Sequence, residues 1–102
     1  MKFRVLPVAD GETIAAALWY EDRRTGLADE FVAQVQHAYG LIRSQPLTLP
    51  LLTAYIGPHQ IRKYVMQHFP YAVLYLCRPD EITIVAVAHM HRRPFYWLDR
   101  IS

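Results

Sequence analysis

The feature that most constrains the fold is an apolar stripe that runs through residues 27–43. Its members step by four, four, three and four positions, which places them on one face of an α-helix. They are Leu27, Phe31, Val35, Ala38 and Ile42. Asp29 and Glu30 fall in the first turn of this segment and Arg43 in its last, as the helix dipole favours. The pattern predicts one continuous helix with a single buried face.

A further helix is predicted just before this one. It runs from Asp10, a candidate N-cap, to about Arg24, and its apolar residues again recur at helical spacing. They include Ile14, Ala17 and Leu18. Only Thr25 and Gly26 follow before the second helix begins, and Gly26 is expected to end the first. A connection this short predicts that the two helices fold back as an antiparallel hairpin.

Four strand-like segments surround the hairpin, at residues 3–8, 60–68, 71–77 and 82–89. The first contains a proline, which is expected at a strand end or an edge. A proline at the start of residues 94–100 favours a short terminal helix. The order strand, helix, helix, strand, strand, strand, helix predicts an α+β fold, in which the helical hairpin packs on one face of a small, mostly antiparallel sheet.

Length and composition narrow the class of protein. A chain of 102 residues predicts a single domain over residues 1–102. The lone Cys77 excludes an intramolecular disulfide, and the absence of a signal-like start or a long apolar run predicts a cytoplasmic protein without a membrane span. With 53% hydrophobic residues, some apolar surface is expected to serve a partner or a homo-oligomer.

Charge is distributed unevenly along the chain. Residues 1–58 carry five Lys/Arg and six Asp/Glu, whereas residues 59–102 carry six and three. Four of the five histidines also lie in the second part. This balance is typical of a basic face for an anionic partner, and equally of an ordinary solvated face.

Short motifs placed on these elements carry a resemblance to a known family. They are Trp19-Tyr20-Glu21, Gly26-Leu27, Glu30-Phe31, the spaced Pro46 and Pro50, Ile61-Arg62, Phe69-Pro70-Tyr71-Ala72-Val73, His89, Arg92-Arg93-Pro94 and Trp97. In this order and spacing, over essentially the whole chain, they resemble the RelE/ParE toxins and in particular the ParE-like branch. The resemblance implies the toxin of a type II toxin–antitoxin system, of the plasmid-stabilisation type, which inhibits growth and is bound by a cognate antitoxin.

The family implies two different targets. ParE-like members block DNA gyrase through protein contact, whereas RelE-like members are metal-independent endoribonucleases that cleave messenger RNA in the ribosome. A third hypothesis is that the chain is a degenerate member of the family, which binds its antitoxin but is not toxic. No cofactor is expected under any of them.

An endoribonuclease would need groups that move protons and stabilise phosphorane charge. The candidates here are Arg62, Lys63, His68, His91 and Arg93. However, Ala72-Val73-Leu74 stands where the RelE-like branch has a catalytic arginine, and Trp97 stands approximately where it has a catalytic tyrosine. An indole cannot exchange the required proton, and Tyr96 next to it is rotated by about 100° on a helix. These departures favour the gyrase-inhibitor reading, in which the chain is not an enzyme.

Under that reading, the residues expected to contact the target or the antitoxin are aromatic and basic. They are Trp19, Tyr20, Arg62, His89, Arg92, Arg93, Tyr96 and Trp97. Arg100 is a further candidate for binding phosphate or an acidic patch on a partner. His89 and His91 have metal-like spacing, but no carboxylate or cysteine nearby completes a ligand set, so no metal site is predicted.

Overall fold

The structure is a computed structural model that describes residues 1–101, and it contains two helices and four strands. In chain order the elements are β1 (Lys2–Val5), α1 (Pro7–Arg23), α2 (Leu27–Ser44), β2 (Gln60–Val65), β3 (Tyr71–Cys77), β4 (Glu81–His89) and a 3-10 turn over Leu98–Arg100. The predicted α+β class, the helical hairpin and the mostly antiparallel sheet are confirmed.

The four strands form one sheet in the order β1-β4-β3-β2. The pairs β2–β3 and β3–β4 are antiparallel hairpins, while β1 runs parallel to β4. Their ladder extends from Lys2 opposite Glu81 to Val5 opposite Ile84. Because β4 continues to His89, its last five residues have no neighbouring strand on that side within residues 1–101.

An irregularity in β4 adjusts which side chains face the helices. Leu74 pairs with Ala86 but Tyr75 pairs with Ile84, so Val85 is an extra residue on the β4 side. Such a bulge bends the strand and increases its twist. Ile84 consequently packs with the helices, while Val85 and Ala86 both pack on the opposite face of the sheet.

The hairpin packs on the sheet through two different kinds of surface. On α2 the predicted stripe is buried at Phe31, Val35, Ala38 and Ile42 and partly buried at Leu27. On α1 the buried residues are small: Ala9, Thr13, Ala16 and Ala17. Small side chains let α1 approach the sheet closely, so the larger Ile14 and Leu18 remain 54% and 67% exposed on its outer side.

Two predicted boundaries around the helices are wrong. The strand predicted over residues 3–8 ends at Val5, and α1 begins at Pro7 with Leu6, not Asp10, as its N-cap. Proline suits this first helical position because the N–H that it lacks would have no partner inside the helix. Gly26 is likewise not the end of α1, which stops at Arg23; it is the N-cap of α2 and has a φ of 95°.

A carboxylate inside the hairpin holds this junction together. Glu21 accepts hydrogen bonds from the backbone N–H groups of Ala28 and Gly26, both at 3.0 Å. These bonds favour the charged form and lower the pKa of Glu21 below its ordinary value. The last turn of α1 and the first turn of α2 are therefore joined by a side chain as well as by the chain itself.

Loops and the chain end cover part of the helix-free face of the sheet. Leu52, Tyr55, Phe95 and Ile101 pack there around the buried ring of Trp97. The predicted helix over residues 94–100 is shorter than expected, because Phe95 has a φ of 61° and only Leu98–Arg100 form a 3-10 turn. Likewise, the strand predicted over residues 60–68 ends at Val65, ahead of a turn in which His68 has a φ of 69°.

Candidate functional site: a groove beside strand β4 and a cleft on the free sheet face

The first surface is a groove of about 540 Å³ between α1 and the unpartnered end of β4. We call it the α1–β4 groove. Its lining consists of Glu12, Ala15, Ala16, Trp19, Tyr20, Pro70, Tyr71, Val87, His89 and Arg92. Most of these residues are apolar or aromatic. The two charged residues are the first and the last of the set in chain order, Glu12 on α1 and Arg92 after β4. The groove therefore suits an apolar partner segment.

Aromatic rings form the wall of the groove and continue into the core. The ring of Tyr20 lies 4.8 Å from that of Phe69 and 5.4 Å from that of Phe31. Tyr71 lies 5.0 Å from Phe31 on the other side. Burial raises the pKa values of both tyrosine hydroxyls above their ordinary value, so these groups stay protonated at neutral pH. The aromatic wall is therefore uncharged at neutral pH.

Trp19 is the exception to this burial, since its side chain is 53% exposed at the mouth of the groove. Its ring meets that of Tyr20 edge-on at 5.2 Å, and the guanidinium of Arg23 lies 3.8 Å from the ring centroid. Together with Ile14 and Leu18 it makes the solvent side of α1 unusually apolar. An exposed aromatic next to a concave surface is typical of a protein-binding site.

An ionic clamp closes part of the open edge of β4. Arg100 donates hydrogen bonds to the carbonyl of Val85 at 3.0 Å and to both oxygens of Glu12 at 2.9 and 3.1 Å. Glu12 also accepts a hydrogen bond from the backbone N–H of Val87 at 3.0 Å and from the hydroxyl of Tyr96 at 2.5 Å. Beyond the end of β1, these two side chains therefore satisfy backbone hydrogen-bonding groups at the open edge of β4.

The second surface lies on the opposite, helix-free face of the sheet and measures about 470 Å³. We call it the sheet cleft. Ala72, Leu74 and Ala88 contribute side chains from β3 and β4, and Lys63 stands on β2 opposite Leu74. The other lining residues are Leu52, Ala54, His89, Met90, Arg92, Arg93, Pro94, Phe95, Tyr96 and Trp97. Among residues 1–101, none of the side chains that line this cleft is acidic.

The five residues proposed for ribonuclease chemistry are not gathered in one site. Arg62 donates a hydrogen bond to the carbonyl of Leu49 at 2.6 Å and thereby holds the loop before β2. Lys63 and Arg93 line the sheet cleft. His68 and His91 are exposed on separate turns and line neither surface.

The two aromatic residues at the chain end are also committed to the structure. The Tyr96 hydroxyl donates to Glu12, and burial together with this hydrogen bond raises its pKa above the ordinary value. Trp97 is buried against the sheet, where it meets the ring of Tyr55 at 6.1 Å. Neither residue therefore presents a free proton-transfer group to the cleft.

Among the residues predicted to contact a partner, four meet in the α1–β4 groove: Trp19, Tyr20, His89 and Arg92. His89 accepts a hydrogen bond on Nδ1 from the backbone N–H of His91 at 3.0 Å. Sequence reasoning missed Tyr71 and Glu12 as members of the groove. No local signal in the sequence pairs Glu12 with Arg100, which is 88 positions away.

Within residues 1–101, no three His, Cys, Asp or Glu side chains are grouped so that they could hold a metal ion. No helix in the same range has both the length and the apolarity needed to cross a membrane.

Comparisons with known proteins find similarity among solved structures. No protein-family model and no curated protein sequence matches the chain. A chain of the solved structure described as "Chromosomal ParDE TA system from P. aeruginosa" does match, with a TM-score of 0.67 and 13% sequence identity. The alignment covers 89% of this chain and 97% of that one. The fold is ParE-like. The resemblance to the ParE-like branch that the motifs predicted is thereby confirmed at the level of the fold.

Both surfaces of this chain meet at the end of β4. Helical hairpin, sheet and chain end meet around the end of β4, and the α1–β4 groove and the sheet cleft lie on either side of it. His89 and Arg92 line both, so this strand end is the centre of the candidate site.

Proposed function

We propose that the chain is the toxin of a type II toxin–antitoxin system, that it acts in the cytoplasm by protein contact, and that its target is DNA gyrase. The observation that carries the proposal is the fold shared with a ParDE structure. An exposed apolar groove on that fold adds support, because a chain that works by protein contact needs such a surface.

The alternative, a messenger RNA endoribonuclease, has weaker support from the same side chains. Arg62 is engaged with a loop carbonyl, and the hydroxyl of Tyr96 is bound to Glu12. Because the pKa of Tyr96 is raised, its hydroxyl is a poor proton donor at neutral pH. Lys63 and Arg93 would supply positive charge in the sheet cleft, but the candidate acid–base residues His68 and His91 do not line it.

The antitoxin is proposed to occupy the α1–β4 groove. Beyond the N–H of Val87, which Glu12 already holds, β4 continues to His89 without a neighbouring strand within residues 1–101. Adjacent strands lie about 4.8 Å apart, so an extended segment fits beside this short strand end. Apolar side chains of that segment would pack on Trp19, Tyr20 and Tyr71. Such a segment would also cover the apolar outer side of α1.

The test of the target is pulse labelling of DNA and protein synthesis after the chain is induced alone in cells. The proposal expects DNA synthesis to fall first, and supercoiling by purified gyrase to be inhibited by the purified chain. An early fall in protein synthesis, with cleavage of messenger RNA in a purified translation system, would instead establish the ribonuclease reading.

The test of the groove uses Trp19→Ser, with Leu47→Ser as its control. Leu47 is an apolar side chain of similar exposure on the loop after α2, away from the groove. Binding to the product of the adjacent open reading frame, measured by calorimetry, is expected to weaken about 30-fold or more for Trp19→Ser, since a central aromatic anchor is worth about 2 kcal/mol or more. Equal losses for both variants would place the antitoxin elsewhere.

A further inference from the structure

The sheet cleft has an arrangement of charge that the proposed antitoxin groove does not explain. Lys63 and Arg93 line it, with His89 and Arg92 at the shared end of β4. None of these four side chains has an ion pair within residues 1–101. Every arginine that does have one lies outside the cleft lining: Arg4, Arg23, Arg24, Arg78 and Arg100.

Three of these side chains, Lys63, Arg92 and Arg93, are cations that line the same cleft, and like charges in one cleft without a counter-charge repel one another and lower the stability of the fold. The cost is reduced when a ligand brings the missing negative charge. The floor beneath these charges is apolar, because Ala72, Leu74 and Ala88 present only hydrocarbon to it. A ligand of the cleft must therefore join negative charge to apolar groups over a short distance.

We propose that the sheet cleft binds an acidic peptide segment of a partner protein. Its apolar side chains lie on Leu74 and the two alanines, and its carboxylates pair with Lys63 and Arg93. The contact lies on the face of the sheet opposite the helical hairpin, so it is a second binding surface, and it holds whether the target is gyrase or another protein.

A peptide fits the cleft better than a nucleic acid does. Recognition of single-stranded nucleic acid depends on exposed aromatic rings on which bases stack. Here Trp97 is buried, and the guanidinium groups of Arg92 and Arg100 already lie 4.0 and 5.0 Å from the ring centroid of Tyr96. Phe95, half-buried with its ring centroid 5.9 Å from that of Trp97, is the one further phenyl ring in the described lining. The apolar floor, in contrast, matches aliphatic side chains that alternate with carboxylates.

The experiment is a titration of the full chain, labelled with nitrogen-15, followed by backbone amide shifts. The probes are blocked hexapeptides of alternating aspartate and leucine, of lysine and leucine, and of aspartate and serine, together with hexauridylate. We expect saturable shifts at Lys63, Leu74 and Trp97 with the aspartate–leucine peptide, at a Kd below about 1 mM. Raising the salt concentration should weaken this binding, because salt screens the attraction between the peptide carboxylates and the cations Lys63 and Arg93.

Matched variants test the role of charge. Lys63→Gln/Arg93→Gln should weaken binding about tenfold, since two charge-assisted contacts are lost. The control Lys2→Gln/Arg43→Gln removes the same charge from exposed sites outside the cleft and should change the Kd by less than about twofold. Circular dichroism and thermal unfolding of both double variants establish that each is folded.

Several results would overturn the proposal. Equal binding of the lysine–leucine peptide would reduce the cleft to an apolar patch, and equal binding of the aspartate–serine peptide would remove the role of its floor. Tighter binding of hexauridylate would make the cleft a nucleic-acid site. No saturable shift with the aspartate–leucine peptide at about 5 mM would mean that the cleft is not a peptide site. None of these results bears on Trp19 and the antitoxin groove.

Discussion

Removal of the Glu12 carboxylate should destabilise the whole fold. Glu12 and Arg100 are only 15% and 14% exposed, and Glu12 accepts hydrogen bonds from Arg100, Tyr96 and the backbone of Val87. Glu12→Ala leaves four donor groups on three residues without this acceptor, and two of the four belong to the charged guanidinium of Arg100. Breaking a buried ion pair costs about 3–5 kcal/mol, and the partial exposure of this one places the loss near about 3 kcal/mol.

The measurement is urea unfolding at neutral pH, followed by circular dichroism. For a domain of this size, a loss of about 3 kcal/mol lowers the Tm by on the order of 10–20 °C. Glu12→Gln, which keeps an acceptor oxygen, should lose about half as much. In a double-mutant cycle with Arg100→Met, the coupling free energy should be about 1–2 kcal/mol.

The control is Glu30→Ala, which breaks the ion pair between Glu30 and Arg24. Both of those side chains are more than half exposed, so the loss should stay below about 0.5 kcal/mol. If Glu12→Ala and Glu30→Ala cost the same, or if the cycle shows no coupling, the clamp does not hold the chain end to α1 and β4, and the reasoning is refuted.

Other variants test local features of the fold. The lowered pKa of Glu21 stabilises the native state above about pH 4.5, and this contribution is lost as the pH falls through the folded pKa, so Glu21→Gln should flatten the acid side of a stability profile. Burial raises the pKa of Tyr75 to about 12, so the free energy of unfolding should fall as the pH rises from about 10 to 12. Tyr75→Phe should remove this pH dependence. At neutral pH the same variant should lose about 1 kcal/mol of stability, because the hydrogen bond from the Tyr75 hydroxyl is gone. Gly26→Ala should destabilise the fold by about 1 kcal/mol, because the φ of 95° at this position disfavours a side chain. Gly40→Ala places the new methyl in open space on a helix and should stabilise the fold by about 0.5–1 kcal/mol. The midpoints of urea unfolding measure both changes.

The predictions of the fold that proved correct depended on local periodicity. The stripe of α2 repeats over five residues from Leu27 to Ile42, and a pattern of that length has one structural solution. Pro7 shows where local reasoning fails, since proline fits both a strand edge and a first helical position. Gly26 was ambiguous in the same way, because a short hairpin brings the end of one helix and the start of the next together.

The site was harder to predict because its parts are distant in sequence. The α1–β4 groove joins residues of α1 to Tyr71, His89 and Arg92, and no periodicity relates these segments. The motif resemblance found Trp19, Tyr20, His89 and Arg92. The clamp between Glu12 and Arg100 depends on a strand order that places β1 beside β4, which neither strand encodes by itself.

That strand order has a consequence for biosynthesis. Lys2 pairs with Glu81, which is 79 positions later (81 − 2). At about 5–20 residues per second, ribosomes need roughly 4–16 s to add that stretch. During this interval the helical hairpin can form from local contacts, but β1 has no partner. The strand end that both surfaces share is thus assembled only when translation has passed β4, and it is clamped only when Arg100 has emerged.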